Sequence, residues 1–287
     1  MPLRGKKPKD VDKRLKMLLF GRAGVGKTTA SLQFPNCYVI DTERGAENYS
    51  DIINKSGGSL FQTTSFDEIV QEVRSLKTEK HDFQTLVIDP ITVIYDDLVA
   101  SWEKRVGTDF GRGYSAAKKE WKRLTSLLSS LDMNVILTAH AKNLYAEGTA
   151  MKILGQTFDG PKGADYYMDL VVEVSKVELS GGQSPTRNAY VRKSRIATLP
   201  EVQGPGDSGF EFSYENFAER YGRDLLERKS EPVKLATTEQ VEKLKETLTN
   251  RNDAAALGAK WLRAASVEDF ADMTSAQIEG CLQWLMK

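Results

Sequence analysis

Cysteine is almost missing: in 287 residues only Cys37 and Cys281 occur, far apart and in no metal-ligand spacing. Their scarcity excludes a disulfide framework and a cysteine zinc site, and it fits a reducing compartment in which both thiols are buried and inert. Charge of one sign is missing too. Forty basic and forty acidic side chains cancel, so affinity for a polyanion has to come from local patches and not from bulk charge. No apolar run is long enough to span a bilayer, and Met17 to Phe20 is too short for the core of a secretion signal. A cytoplasmic globular protein with no membrane partner is expected. At 40% hydrophobic and 28% charged, the chain can build one full core and a small appendage.

Along the chain, residues 1–14 read as a basic flexible arm, which either solubilises the protein or grips a polyphosphate. Residues 15–221 alternate β-rich runs with helical patterns, the signature of an α/β sheet with crossover helices. Strands are expected at Leu15 to Phe20, Tyr38 to Asp41, Thr85 to Asp89, Asn134 to Ala139, Leu170 to Val174 and Ala189 to Lys193. Phe66, Ile69, Val70, Val73 and Leu76 recur at helical spacing behind a Ser65/Glu68 capping pair, and Ala117, Trp121, Leu124, Leu128 and Leu131 repeat the pattern. Ala141 to Gly163 has little periodicity and five glycine or proline residues, which predicts a long functional loop. Gly204 to Gly209 reads as a turn. After a charged linker at 222–234, residues 235–287 form a three-helix module with Thr237/Gln240 and Thr274/Gln277 as its helix starts.

Gly21-Arg22-Ala23-Gly24-Val25-Gly26-Lys27-Thr28 satisfies the Walker A pattern at every fixed position, after an apolar strand and before a helical stretch. Glycines let backbone N–H groups converge on phosphate oxygens. Lys27 is then placed for the β- and γ-phosphates, the Thr28 hydroxyl for Mg²⁺, and Thr29 for the rim of the same site. ATP and Mg²⁺ are the expected cofactors. A second metal-holding carboxylate is needed, and Leu86-Val87-Ile88-Asp89 supplies it at the end of a buried-type strand. The residue after it is Pro90, so a water-activating base has to come from elsewhere. Glu43, after the run Tyr38-Val39-Ile40-Asp41-Thr42, is the candidate, on a strand expected to lie next to the phosphate loop; a plain loop-capping glutamate would look the same.

Taken together, Gly21 to Thr28, Asp41-Thr42-Glu43-Arg44-Gly45-Ala46, Asp89 and Leu137-Thr138-Ala139-His140 resemble the RecA/RadA/DnaB-type ATPase core, over roughly residues 14 to 220. Within it the chain is most similar to the small bacteriophage single-strand annealing proteins of the Sak type. That resemblance implies a RecA-like P-loop NTPase fold, with a mainly parallel central sheet flanked by helices. It also implies that His140, at a strand end, senses the γ-phosphate, and that Lys193 and Arg195 reach a neighbouring subunit's phosphate. Ala141 to Gly163 takes the position of a DNA loop, with Lys142, Lys152 and Lys162 as phosphate contacts and Tyr145 or Phe158 as stacking groups. Trp102 to Arg123, including Arg112, falls near a first DNA loop. Each of these cationic segments would also serve as a solvated face.

The partners so implied are single-stranded DNA, further copies of the chain in a ring or filament, and a single-strand-binding protein on the C-terminal module, in the cytoplasm of a bacterial host. ATP-dependent recombination or annealing is the first functional reading. A replicative-helicase-like motor, an ATP-gated scaffold with little turnover and, more remotely, a small-molecule kinase are the alternatives.

Overall fold

The computed structural model describes residues 14–146, 152–177, 186–202, 209–249 and 251–286. The expected basic arm, save Arg14, and the expected turn, save Gly209, lie outside the described residues.

In chain order the regular elements are β1 Lys16–Gly21, α1 Lys27–Ser31, β2 Cys37–Asp41, α2 Ser50–Lys55, β3 Ser59–Gln62, α3 Phe66–Thr78, β4 Thr85–Asp89, α4 Ile91–Val106, α5 Arg112–Ser130, β5 Asn134–Tyr145, β6 Ile153–Asp159, β7 Leu170–Val177, β8 Thr186–Ser194 and β9 Phe210–Glu211. Helices α6 Tyr214–Tyr221, α7 Arg223–Leu226, α8 Thr238–Thr249, α9 Ala254–Ala265 and α10 Ser275–Leu285 follow. The described strands make one sheet in the order β3-β2-β4-β5-β1-β7-β8-β9, with β6 paired to β5. From β3 to β7 the neighbours on that path are parallel, and β8 and β9 then alternate in direction.

A parallel strand is covered on both faces, so burial does not alternate along it: every residue of β1 and β4 is buried, and their middle residues run apolar without a break. The two-residue period still sorts them. Leu18, Phe20, Leu86, Ile88 and Leu137 face the cluster with Ile69, Val73, Trp121 and Leu124 of α3 and α5. Met17, Leu19, Val87 and Ile136 face the opposite cluster with Phe34, Phe212 and Phe217. Ser65 caps α3 by accepting from the Glu68 N–H. Thr237/Gln240 and Thr274/Gln277 both close reciprocal capping boxes.

Four expectations need correction. Among its described residues, Ala141 to Gly163 is not one long loop: β5 continues to Tyr145 and pairs antiparallel with β6, with His140 opposite Asp159 and Lys142 opposite Thr157. Beyond Ala141 and Phe158, which pack on the core, the described residues of this pair from Asn143 to Tyr145 and from Ile153 to Gly155 are exposed and need no apolar alternation, so periodicity could not find it. For the same reason His140 does not end its strand. Nor does β2 lie next to the phosphate loop; β4 and β5 separate it from β1. Trp102 to Arg123 is mostly helical, the end of α4 and the first part of α5, joined by a short turn at which Gly107 and Gly111 take positive φ.

Residues 227–237 are tied to the sheet's lower rim. Arg14 donates to the Arg228 and Lys229 carbonyls, and Val233 N–H donates to the Lys77 carbonyl. Helices α8 to α10 enclose their own cluster of Leu244, Leu248, Leu257, Met273 and Ile278. They meet the core through buried Asp272, which takes hydrogen bonds from Arg74 and Arg123.

Candidate active site

The loop between β1 and α1 carries the first part of the site. Gly21 is sterically required, because a Cβ there would stand 2.4 Å from the Val174 carbonyl oxygen of β7. Gly24 and Gly26 adopt φ of 75° and 93°, which L side chains rarely enter. Helix α1 has only five residues, so its dipole is short. The loop amides and the cations beside them supply most of the positive potential.

Lys27 is buried, and its Nζ donates to the Gly21 and Arg22 carbonyls at 2.9 and 3.1 Å. Burial lowers its pKa from the ordinary value, and the Asp89 and Glu43 carboxylates pull it back up. Thr28 Oγ1 donates to Asp89 Oδ2 at 2.5 Å, while Thr138 of β5 donates to Oδ1 of the same carboxylate. Asp89 and Thr28 therefore form one oxygen-rich corner. A hydroxyl and a carboxylate side by side are hard donors of the kind Mg²⁺ takes beside substrate phosphates, so these residues fit that ion. Thr138 stood in the Leu137 to His140 motif, but the sequence reading assigned it no role. Its signal was a polar residue inside the run Val135 to Ala139, and it is fully buried.

Glu43 arrives by a different route. Asp41, at the end of β2, accepts from the N–H groups of Glu43, Gly45 and Ala46 and from the Gln62 amide, which shapes the loop after β2. Thr42 N–H donates to the Asp89 carbonyl and the Thr42 hydroxyl to the Pro90 carbonyl, which ties that loop to the end of β4. Glu43 Oε1 then comes to 3.1 Å from His140 Nε2. His140 pairs in register with Gly21, so the pair stands at the mouth of the phosphate loop. Both side chains are more than two-fifths exposed, 42% and 45%, open to water and substrate.

The expected DNA contacts separate. Lys142 is exposed but pairs with Asp159 at 3.0 Å. Lys152 and Arg112 are exposed at the base of the hairpin tip and the start of α5. Lys162 lines a cavity of about 430 Å³ with Lys118, Lys122, Trp121 and Tyr166. Tyr145 is exposed at the tip, together with Leu144, Ile153 and Leu154. Phe158 is not available for stacking, since it packs edge-on against Phe20. Arg22, from the phosphate loop itself, reaches β6: with the Gln156 amide oriented to satisfy both groups, its oxygen accepts from Arg22 Nε at 2.8 Å.

Lys193 and Arg195 do not join this site. Ser194 pairs with Leu170, and Leu170 pairs with Met17 at the start of β1, so both cations stand at the opposite end of the sheet. There Lys193 donates to the Asp165 and Met168 carbonyls and Arg195 to the Tyr166 carbonyl. The β8 residue at the loop end is Arg187, which the sequence reading passed over.

Residues 13–196, the span that carries the phosphate loop and the acidic end of β4, match the AAA domain family. The chain belongs to the AAA domain family. The matched span of this AAA domain protein runs from before β1 to just past β8. The protein is a P-loop NTPase built on a mainly parallel mixed sheet flanked by helices and followed by C-terminal helices. Among solved structures it is similar to a KaiC-like protein from the hyperthermophilic archaeon Pyrococcus horikoshii, at 15% identity and a TM-score of 0.41, over 65% of this chain and 82% of that one. No curated protein matches the sequence. Among the described residues no helix is long and apolar enough to cross a membrane.

Proposed function

We propose that this AAA domain protein is an ATP-dependent, single-stranded-DNA-binding recombination or annealing protein, similar to the Sak-type annealing proteins, that hydrolyses ATP to ADP and phosphate. The observation that carries the reading is continuity. The strand that bears His140 at the phosphate loop is the same strand that runs on, without a break, into the exposed hairpin bearing Lys142 and Tyr145.

In this reading the loop amides and Lys27 hold the polyphosphate, and Lys27 exchanges its two loop carbonyls for phosphate oxygens. Glu43 accepts a proton from the attacking water, whose oxygen bonds to the terminal phosphorus as the bond to the bridging oxygen breaks. Thr28 and Asp89 would hold Mg²⁺, which when bound offsets negative charge on the phosphates. His140 keeps the Glu43 side chain turned toward the loop.

Coupling to DNA follows from the same contacts. His140 N–H is held by Thr92 Oγ1, which itself donates to the Asp159 carbonyl of β6, and Arg22 holds Gln156 of that strand. A phosphate that draws Arg22 or His140 toward itself therefore pulls on both strands of the hairpin. Lys142, Lys152 and Tyr145 then meet the backbone and bases of a single strand, with Arg112 and Lys162 further along the basic surface. In this reading Lys193 and Arg195, which stand away from their own chain's loop, reach a neighbour's phosphates in a homo-oligomer, as the resemblance implies. The module's Trp261 and Trp284 line a shallow cavity of about 250 Å³ that would receive a single-strand-binding protein.

ATP turnover with and without single-stranded DNA, at several salt concentrations, tests the reading. Hydrolysis stimulated by DNA and weakened by salt is expected. Annealing of complementary strands separates it from a helicase-like motor, which would unwind a tailed duplex instead. A flat response to DNA, with binding of ATP intact, would leave an ATP-gated scaffold as the better account.

A further inference from the structure

Arg187 stands over the phosphate loop in a position that the water-activating machinery does not use. It pairs with Lys176 across β7 and β8, and its carbonyl accepts from Phe212 N–H at 2.7 Å, so its backbone is anchored in the sheet. Glu173 is the β7 residue opposite Phe20. Lys176 and Arg187 therefore lie about 10 Å further along the strand direction, beyond the end of β1 and level with the loop. The side chain turns onto Gly26: a Cβ built there would meet Arg187 Nε at 2.0 Å, Cδ at 2.8 Å and Cζ at 3.0 Å. Among the described residues no side-chain hydrogen bond or ion pair engages its guanidinium. A half-buried arginine is thus laid on a phosphate loop with its donors unspent.

The order of strands gives it a direction. Asp89, His140 and Glu43 come from β4, β5 and the end of β2, all on one side of β1, whereas β7 and β8 lie on the other. If the terminal phosphate sits among the first group, as the proposed function has it, the polyphosphate runs across the loop toward β8. Resting on that reading, we propose that Arg187 is a ligand of the α- and β-phosphates of the nucleotide bound by its own chain. Its five N–H donors in a planar fork suit phosphate oxygens in a bidentate contact. The contact is made equally to ATP and ADP, so it sets nucleotide affinity and the rate of product release without assisting the transfer step.

The test is calorimetric titration of the full chain with Mg·ADP and with a non-hydrolysable Mg·ATP analogue. Arg187→Ala should weaken both by about ten- to hundredfold and by the same factor. Arg187→Lys, which keeps charge but loses the fork, should fall between. The melting temperature of the nucleotide-free variants should match that of the parent, since no ion pair is lost; if the alanine variant melts lower, the lysine variant carries the comparison. Affinities within twofold of the parent would overturn the proposal, as would a loss confined to the ATP analogue. Failure of the parent chain to bind either nucleotide would instead overturn the phosphate-loop reading, and this proposal with it.

Discussion

Glu43 Oε1 lies 3.1 Å from His140 Nε2, although the strands that deliver them do not touch, β4 running between β2 and β5. The contact exists because Asp41 folds the chain after β2 back over the end of β4, and Thr42 fastens it there. Glu43→Gln should lower turnover by about 10²–10⁴-fold, the usual contribution of a general base, with affinity for Mg·ATP little changed. His140→Ala should retain more basal turnover than Glu43→Gln yet lose its stimulation by DNA. Steady-state hydrolysis beside nucleotide titration separates the two; equal activity of Glu43→Gln and the parent would remove Glu43 from the mechanism.

Lys27 and Asp89 answer for the phosphates and the metal. Lys27→Ala should lose about 2–4 kcal/mol of transition-state stabilisation, and chelation by EDTA should abolish turnover of the unaltered chain. Asp89→Ala has a second consequence, for stability. It leaves the fully buried Thr138 hydroxyl without its acceptor, a loss of about 1–3 kcal/mol by denaturant titration. Thr138→Val in the same background should recover part of it.

On the hairpin, Lys142 and Lys152 are expected to differ. Each phosphate contact to a single strand adds about 0.7 to the slope of log affinity against log salt. Lys152→Ala should remove about one such contact, whereas Lys142→Ala should change less, because Lys142 is already paired with Asp159. Tyr145→Ala should cost about 1–3 kcal/mol of binding without altering the slope, as loss of a stacked base does. Fluorescence anisotropy at four or five salt concentrations reads both effects.

Lys16 makes stability depend on pH. It is buried at the start of β1, donating to the Leu131 and Met133 carbonyls, and burial pushes its pKa from 10.5 down to about 7, against the opposing pull of Asp169. Between those two values the unfolded chain binds more protons than the folded one. Stability from this group therefore rises with pH from about 7 toward 10.5, and below 7 its burial penalty is present in full. Lys16→Met should flatten that rise and raise the melting temperature most at and below neutrality, as thermal unfolding across the range would record. A steeper rise in the variant would contradict the assignment.

Much of the site could be read along the chain because phosphate binding is local chemistry. Gly21 to Thr28 are consecutive, and Asp89 ends a run whose burial on both faces shows as unbroken apolarity. Helix starts were equally legible at Thr237 and Thr274, where three residues suffice to close a cap. The β5–β6 hairpin was not, because its exposed end leaves no apolar stripe. Short β3, paired along one edge with β2, carries too few residues for a pattern. Lys193 and Arg195 were visible as cations, but which end of the sheet they occupy depends on β8 running antiparallel to β7.

The amino-acid order alone thus settled the phosphate loop, its acidic neighbour and the alternation of strand with helix, since these depend on residues adjacent in the chain or on burial shared by a whole strand. Which strand lies beside which was settled by packing of the sheet's two faces, and every contact between distant residues follows from it. Glu43 meets His140, Thr138 meets Asp89, and Arg187 reaches Gly26, only because β5 and β7 flank β1; no spacing in the sequence encodes those distances.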